Sequence, residues 1–557
     1  MPTFRALAPD GSTVDGFVFE DRAVTWTGDE PVEAGIRVEL ETKGRDWLVP
    51  GVFYGENRSE TCTRVFPRFT PGRVDVARME SESWSFRADR CATPAVFAQG
   101  GGLLTSETSP LGQTGVGFAE RDGRTTIWLD FPYREEPLRY DGSETPDEPD
   151  VRTYLWSPGE RVELAFRLVD GPDVLRELQS PFEDPSWVSV EAAAALAAHG
   201  LHRWHYKPDP PRLIETAAFD RDAFGDRCDR DAMHVSWVSG APYAYALLRH
   251  GHRVGNDAYV AAAESVLDQI AANLAPGGTY WSQWTRDEGW TTGWHPDRTR
   301  LHARTLADAA LFMLRAGGRW TESARSNVRV AVRTQRDDGA LPAAHHVETG
   351  AAVAWEGTAG MAWIPALVAA GELDAARRAG AYYAGFDVWR GAPEDVDLAP
   401  TSEDGYAALM AFVALEDWAN ARRAADWLLT FRYTYDVAFS ERTLLGRYGF
   451  RTRGADNASP ANQHLHAFGL ICLRELVQLG RALGDDYYVQ SARENLACFR
   501  QFIAREDGDF DAYRGMASER YYQTDCFQAK GMLLTLSHAW SVGVLLLGCE
   551  DALELGL

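Results

Sequence analysis

The order of apolar and polar positions changes character once along the chain. From Met1 to about Asp170, short runs alternate between apolar and polar residues, as in GFVFE, IRVELET, TTIWLDF and RVELAFRLV, with Gly, Pro, Asp and Asn between them. A period of two turns one face of each run inward, and closely spaced turn signals return the next run antiparallel. Residues 1–180 are therefore predicted to form an antiparallel β-sandwich. Within it, the polar, Pro-containing segment GSETPDEPD reads as an exposed loop, and GPDVLRELQSPFEDP, ending at Pro185, as the linker that follows.

From residue 186 to 557 the period is helical. Twelve helices are predicted to begin near Val188, His234, Asp257, Leu301, Thr321, Gly357, Leu373, Ser402, Asp417, Pro460, Asp486 and Asp525. Every second one, such as HVSWVSGAPYAYALL, LHARTLADAALFML or ANQHLHAFGLICL, is apolar or small on nearly all sides, as a helix enclosed on every face should be. The intervening ones, such as TESARSNVRVAVRTQ and WANARRAADWLLTF, keep one polar, Arg-rich stripe and one apolar stripe. Six inner helices inside six outer ones account for this alternation. A weak repeat supports it: NLAPGGTYWSQW, RTQRDDGALPAAHH and AREDGDFDAYRG each follow an outer helix with a Gly turn and an extended stretch.

These segments resemble the six-hairpin (α/α)6-barrel superfamily, which includes glucoamylase-like, trehalase-like and unsaturated-uronyl hydrolases, and some polysaccharide lyases and epimerases. The resemblance runs from about Pro185 to Leu557 and implies a catalytic (α/α)6 toroid over residues 186–557. A β-domain ahead of such a toroid occurs in bacterial glucoamylase-like enzymes and in glucuronyl epimerase-like proteins.

Composition narrows the partners. The 557 residues carry a formal net charge of -25, so a phosphate backbone would meet a repulsive field and nucleic acid is not expected as a ligand. Seven cysteines are scattered without a C-x-x-C pair, which suggests neither a zinc site nor a disulfide framework, only reduced core residues. No leader-like start and no run of about 18 apolar residues is present, so a soluble cytoplasmic protein that does not contact membranes is the expectation.

In a toroid, the loops leading into the inner helices gather at one mouth, and the helix N-termini direct partial positive charge into it. Here those loops concentrate aromatics, carboxylates, Arg and His. One holds Trp281, Trp284, Trp290 and Trp294. Flat indoles suit the C–H face of a pyranose, although packing of the hairpin itself would use large aromatics equally well. Trp284 and Trp290 are singled out for stacking, and Trp355 as a further substrate contact.

Glycoside hydrolysis needs one protonated carboxyl and one ionised carboxylate. Glu356, between Trp355 and Gly357, is the first choice for general acid, because an apolar neighbour raises a carboxyl pKa. Glucoamylase-like enzymes place their acid in the corresponding loop after a Trp, and their base before the fifth inner helix, which implies Asp456 here. The second glutamate of their acid pattern and the Glu-Gln of their base pattern are missing. Glu403 is a rival for either role, while Asp404 beside it suits the first turn of a helix capped by Thr401 or Ser402. Asp287, Glu288, Asp395 and Asp397 suit solvated ion pairs as readily as catalysis.

The last loop, RGMASERYYQTD, carries Glu519, Arg520, Tyr521, Tyr522 and Asp525, and a Tyr beside an Arg can move a proton. Arg453 and Arg520 suit a sugar carboxylate through two-pronged hydrogen bonds, so an anionic sugar is within range. His464 is a candidate sugar contact; His345, His346, His464 and His466 lack metal-ligand spacing, and neither metal nor organic cofactor is expected. The leading expectation is a glycoside hydrolase acting through Glu356 with Asp456 or Glu403, inverting as the resemblance implies. The alternatives are a uronic-acid lyase or epimerase using Tyr, His and Arg, and a carbohydrate-binding protein without catalysis.

Overall fold

The computed structural model describes the chain apart from residues 1, 45, 56–82, 122–123, 140–147, 180–183, 185–186, 394–399, 461 and 527. Cys62, Asp395, Asp397 and most of the predicted GSETPDEPD loop lie outside the described residues.

Among the described residues, every strand pair of the N-terminal region is antiparallel. One sheet has the order Thr3–Leu7, Val32–Thr42, Arg124–Phe131, Gly115–Arg121, Ser83–Arg87, with Tyr154–Trp156 also paired to Val32–Thr42. A second has the order Phe166–Val169, Gly101–Thr105, Ala95–Ala98, Leu48–Val49, Phe53–Tyr54, and a third joins Arg161–Glu163, Ala23–Trp26 and Phe17–Glu20. Alternation fixes the register: Val38 lies opposite Leu129, and Phe118 opposite Ile127. These four meet Val24, Val96, Leu103 and Trp156 in one apolar core shared by all three sheets. On the other face of the first sheet, Arg37 clamps Asp130 with bonds of 2.7 and 2.9 Å.

Among the described residues, twelve helices of eight residues or more follow. They are α1 (Val190–Gly200), α2 (Ala241–Val254), α3 (Asp257–Ala271), α4 (Ala303–Ala316), α5 (Thr321–Thr334), α6 (Trp363–Ala370), α7 (Leu373–Ala384), α8 (Ser402–Ala414), α9 (Trp418–Leu429), α10 (Leu473–Leu483), α11 (Asp486–Phe499) and α12 (Ala539–Leu555). The even-numbered helices pack in sequence, α2 on α4, α4 on α6, α6 on α8, α8 on α10 and α10 on α12, and α12 returns to α2 to close the ring. Each carries an odd-numbered partner on its outside, with α1 against α12. Enclosure explains the composition: every residue of α4 from Ala303 to Met313 is buried. The hairpins turn where side-chain caps and left-handed glycines end the helices, as Gly371 (φ 87°) does after α6.

Five helices begin at the predicted residue, but α2, α6, α10 and α12 begin later than the pattern suggests. Short strands, Ala232–His234, Asn462–His466 and Leu536–His538, lie in or next to the missing stretches of α2, α10 and α12, the first followed by a turn and the second by a 3-10 segment, Ala467–Cys472, before the inner helix begins. A strand buried on both faces and a helix buried on all faces are both continuously apolar, so periodicity does not separate them.

The two regions are joined by an extensive contact. Tyr54 stacks on Phe431 with centroids 4.3 Å apart, and the hydroxyls of Tyr433 and Tyr435 donate to backbone carbonyls of Asp89, Ala88 and Cys91. Cys526, from the loop before α12, sits in the apolar core of the β-region. Of the six described cysteines, five are buried and Cys228 is exposed.

Candidate active site

The lead-in strands build a cavity of about 330 Å³ at the mouth of the toroid. Its lining includes Glu215, Glu403 and Glu519, the histidines His464, His466 and His538, Arg230 and Arg520, and the rings of Trp237, Trp294, Phe468 and Trp540. Local geometry accounts for several of these. In the strand Asn462–His466, a period of two puts His464 and His466 on one face, while Leu465 between them is fully buried on the other. Strand Leu536–His538 pairs with Thr216–Ala218 so that His538 lies opposite Thr216, beside Glu215.

Each carboxylate has its own setting. Glu403, in the first turn of α8, accepts a hydrogen bond from Nη1 of Arg304. The Arg304 guanidinium lies 4.7 Å from the Trp237 ring and 4.9 Å from Phe468, and its Nε is 3.3 Å from Asp308. Burial pushes the Asp308 carboxyl up to about 6 against the pull of Arg304. Burial also pushes the Glu519 carboxyl above its ordinary range, opposed by Arg520 at 3.3 Å; His538 Nε2 is 3.4 Å away. The Glu215 carboxyl is raised by burial too, against Arg230 at 3.0 Å, and it accepts 2.6 Å from Nε2 of Gln283.

The histidines are held neutral. Burial lowers all three, His538 to about 3, and nearby Arg520 adds to the effect on His464. His538 is also the N-cap of α12, where the helix dipole opposes protonation further. His466 Nε2 is 3.3 Å from the hydroxyl of Ser402.

Of the residues singled out from the sequence, Glu403, His464 and Arg520 meet in this cavity. Glu356, Asp456, Trp284, Trp290, Trp355, Arg453, Tyr521 and Tyr522 are not among its described lining. Glu356 is exposed and accepts the backbone N–H of Trp355 at 3.1 Å; Trp355 lies beneath the Arg336 guanidinium. Asp456 has no exposed surface: it takes two bonds from Arg432, one from the Tyr406 hydroxyl at 2.9 Å and one from Asn495 at 3.3 Å. Such saturation is that of a structural anchor. Trp284 and Trp290 face each other across a hairpin, with Arg212 over Trp284, whereas Trp294 from the same loop lines the cavity, stacked on His234 at 5.1 Å.

Arg453 pairs with Glu494 at 2.9 Å. The Tyr521 hydroxyl donates to the carbonyl of Phe502 at 2.7 Å, and burial raises its pKa far above the phenol range. Tyr522 is buried beside Arg520. Asp404 closes a capping box with Thr401. Among the described residues, no group of three His, Cys, Asp or Glu is arranged to hold a metal ion, and no helix is long and apolar enough to cross a membrane.

Glu215, Glu519, His538, Trp237 and Trp540 received no role from sequence reasoning. Glu215 did leave a signal, a lone acid inside the apolar run LIETAAF. Glu519 stood in a loop whose tyrosines drew attention instead.

Six helical hairpins closed into a ring, with an acidic, histidine-rich and aromatic cavity at the lead-in end, define the fold as an (α/α)6 toroid behind an antiparallel β-region. No family model and no curated protein matches the chain. Among solved structures, a sugar epimerase from a ruminal bacterium is 12% identical, covering 65% of this chain and 99% of its own, with a TM-score of 0.43. A D-mannose isomerase is 12% identical over 68% of this chain and 100% of its own, with a TM-score of 0.46. A polysaccharide lyase is 11% identical over 100% of this chain and 92% of its own, with a TM-score of 0.48.

Proposed function

We propose that the chain is a carbohydrate-active enzyme, a glycoside hydrolase whose toroid follows an N-terminal β-sandwich. The observation that carries the proposal is the cavity itself, in which Glu519 and Glu403 face one space together with indole rings. Their settings differ in the way hydrolysis requires. Glu519, raised by burial, is the proton donor to the leaving oxygen; Glu403, held by Arg304, is the carboxylate that activates water or attacks carbon. Trp237, Trp294 and Trp540 offer apolar surface for a pyranose, and Glu215, Arg230 and His464 offer hydrogen-bonding groups for its hydroxyls. A panel of aryl glycosides, including uronides, tests this. Glu519→Gln is expected to lower kcat at least about 100-fold with sugar binding retained. Glu356→Gln, outside the cavity, should stay within about twofold of the parent, as a residue without contact to the reacting atoms should. The reverse pattern would return the acid to Glu356.

A second reading has its own support: three neutral, buried histidines line the cavity beside Arg520. Neutral imidazoles next to a guanidinium could move a proton at the carbon beside a sugar carbonyl or carboxylate, as in an epimerase or lyase. Exchange of solvent deuterium into a recovered sugar, or ultraviolet absorbance from an unsaturated product, would favour that chemistry over hydrolysis.

A further inference from the structure

The loop that carries Glu519 and Arg520 into the cavity does not end in the toroid. Six residues after Glu519, Asp525 receives Nη1 and Nη2 of Arg87 at 3.2 and 2.5 Å, Nη2 of Arg90 at 3.2 Å and Nη2 of Arg139 at 3.1 Å. All three arginines belong to the N-terminal region. Arg90 has no exposed surface and is bonded to Glu135, while Asp89 beside it takes Lys530 at 2.9 Å from the far side of the same loop. Cys526 is buried in the β-core. Between these anchors and the cavity, the loop is laced to the histidine strand: Leu465 and Tyr521 exchange backbone bonds of 2.9 and 3.2 Å, and Gln523 donates to Asn457 at 3.2 Å. Asn457 in turn donates 2.7 Å to the carbonyl of Gly51 in the β-region.

We propose that the N-terminal β-region is part of the active site's machinery, with Asp525 as the positioning residue through which Arg87, Arg90 and Arg139 hold Glu519, Arg520, His464 and His466 in place. This rests on the cavity being the site of reaction, not on the reaction being hydrolysis. A charge network of this kind favours one geometry because Asp525 is the carboxylate that Arg87, Arg90 and Arg139 share, and its removal weakens the pairing of two buried guanidinium groups at once. The loop's position is thereby made a property of both regions at once, and the β-region acquires a function other than stability.

The test uses the full chain and hydrogen exchange read by mass spectrometry in peptides covering 518–526 and 460–466, which needs no substrate. In Asp525→Asn, exchange there should quicken about tenfold or more, while peptides of α4 keep the parent rate. Asp525→Glu, which restores the charge, should return most of the protection. Arg37→Ala, which breaks the Arg37–Asp130 pair of the β-region away from the loop, is the structural control. Unchanged exchange in Asp525→Asn, or equal quickening in Arg37→Ala, would overturn the proposal. On any sugar the parent turns over, Asp525→Asn should lose kcat about tenfold or more with KM little altered, and a loss confined to KM would likewise overturn it. If the parent hydrolyses no glycoside, the hydrolase reading fails while the exchange result still decides the role of Asp525.

Discussion

At the scale of single residues, the cavity assigns protonation by burial and then trims it with neighbouring charge. Glu519 illustrates both: desolvation raises its carboxyl, and the Arg520 guanidinium 3.3 Å away pulls it back down. With Glu519 as the proposed general acid, which must be protonated, kcat/KM is expected to fall as pH rises through its pKa. Removing Arg520 removes a lowering influence, so Arg520→Gln should move the alkaline limb of the pH profile to higher pH, whatever it does to the maximum. A limb that stays or moves down would mean that another group sets it. Glu403, His464 and Arg520 could be placed from the sequence because the loops before the enclosed helices concentrate carboxylates, Arg and His at one mouth. Asp456 and Tyr521 looked the same by that criterion, yet each is tied to partners distant in sequence, Asp456 to Arg432 and Asn495 and Tyr521 to the Phe502 carbonyl. Partners of that kind leave no trace in spacing.

At the scale of elements, the helices were legible and the strands leading into them were not. The period of 3.6 with cap residues located α3, α5, α7, α8 and α11 to the residue, because Asn256, Thr401 and Asp485 state a helix start chemically as well as by pattern. The ladders at the mouth have only three to five residues per strand and are paired across loops, too short for a period to register. Yet they aim the site, since two histidines of one strand reach the cavity only by alternation. α8 shows how a cap also serves the cavity: Thr401 and Asp404 close the box around the turn that presents Glu403, and Asp404 also takes the backbone N–H of Ala392 at 2.7 Å. Asp404→Ala is expected to cost about 1–3 kcal/mol in chemical denaturation, from the lost cap and the buried donors left unmet. A change below about 0.5 kcal/mol, the level of an ordinary surface substitution, would show the box to be incidental.

At the scale of the molecule, a ring has one seam that chain connectivity does not provide, and here it lies between α1 and α12, the first and last helices. The sequence implied that such a closure must exist but could not say which groups make it. Gly200 and Gly515 approach so closely that a Cβ on Gly200 would lie 1.9 Å from the Gly515 carbonyl oxygen. Strand Thr216–Ala218 pairs with Leu536–His538, and His205, just after α1, bonds the carbonyl of Ile214 through Nδ1 at 2.8 Å and the hydroxyl of Ser537 through Nε2 at 3.0 Å. Burial lowers the His205 pKa to about 4, from 6.5 for a free imidazole. A histidine depressed in this way stabilises the folded state fully above pH 6.5, and that contribution is lost as pH falls toward 4, because the unfolded chain takes up a proton the closed seam excludes. Between pH 7 and pH 5 the loss from this one group is on the order of 2 kcal/mol. His205→Gln should therefore be less stable than the parent at pH 7, yet lose less further stability on going to pH 5. Urea denaturation of both proteins at the two pH values measures the difference of differences. Equal losses in parent and variant would show that acid enters the fold elsewhere than at this seam.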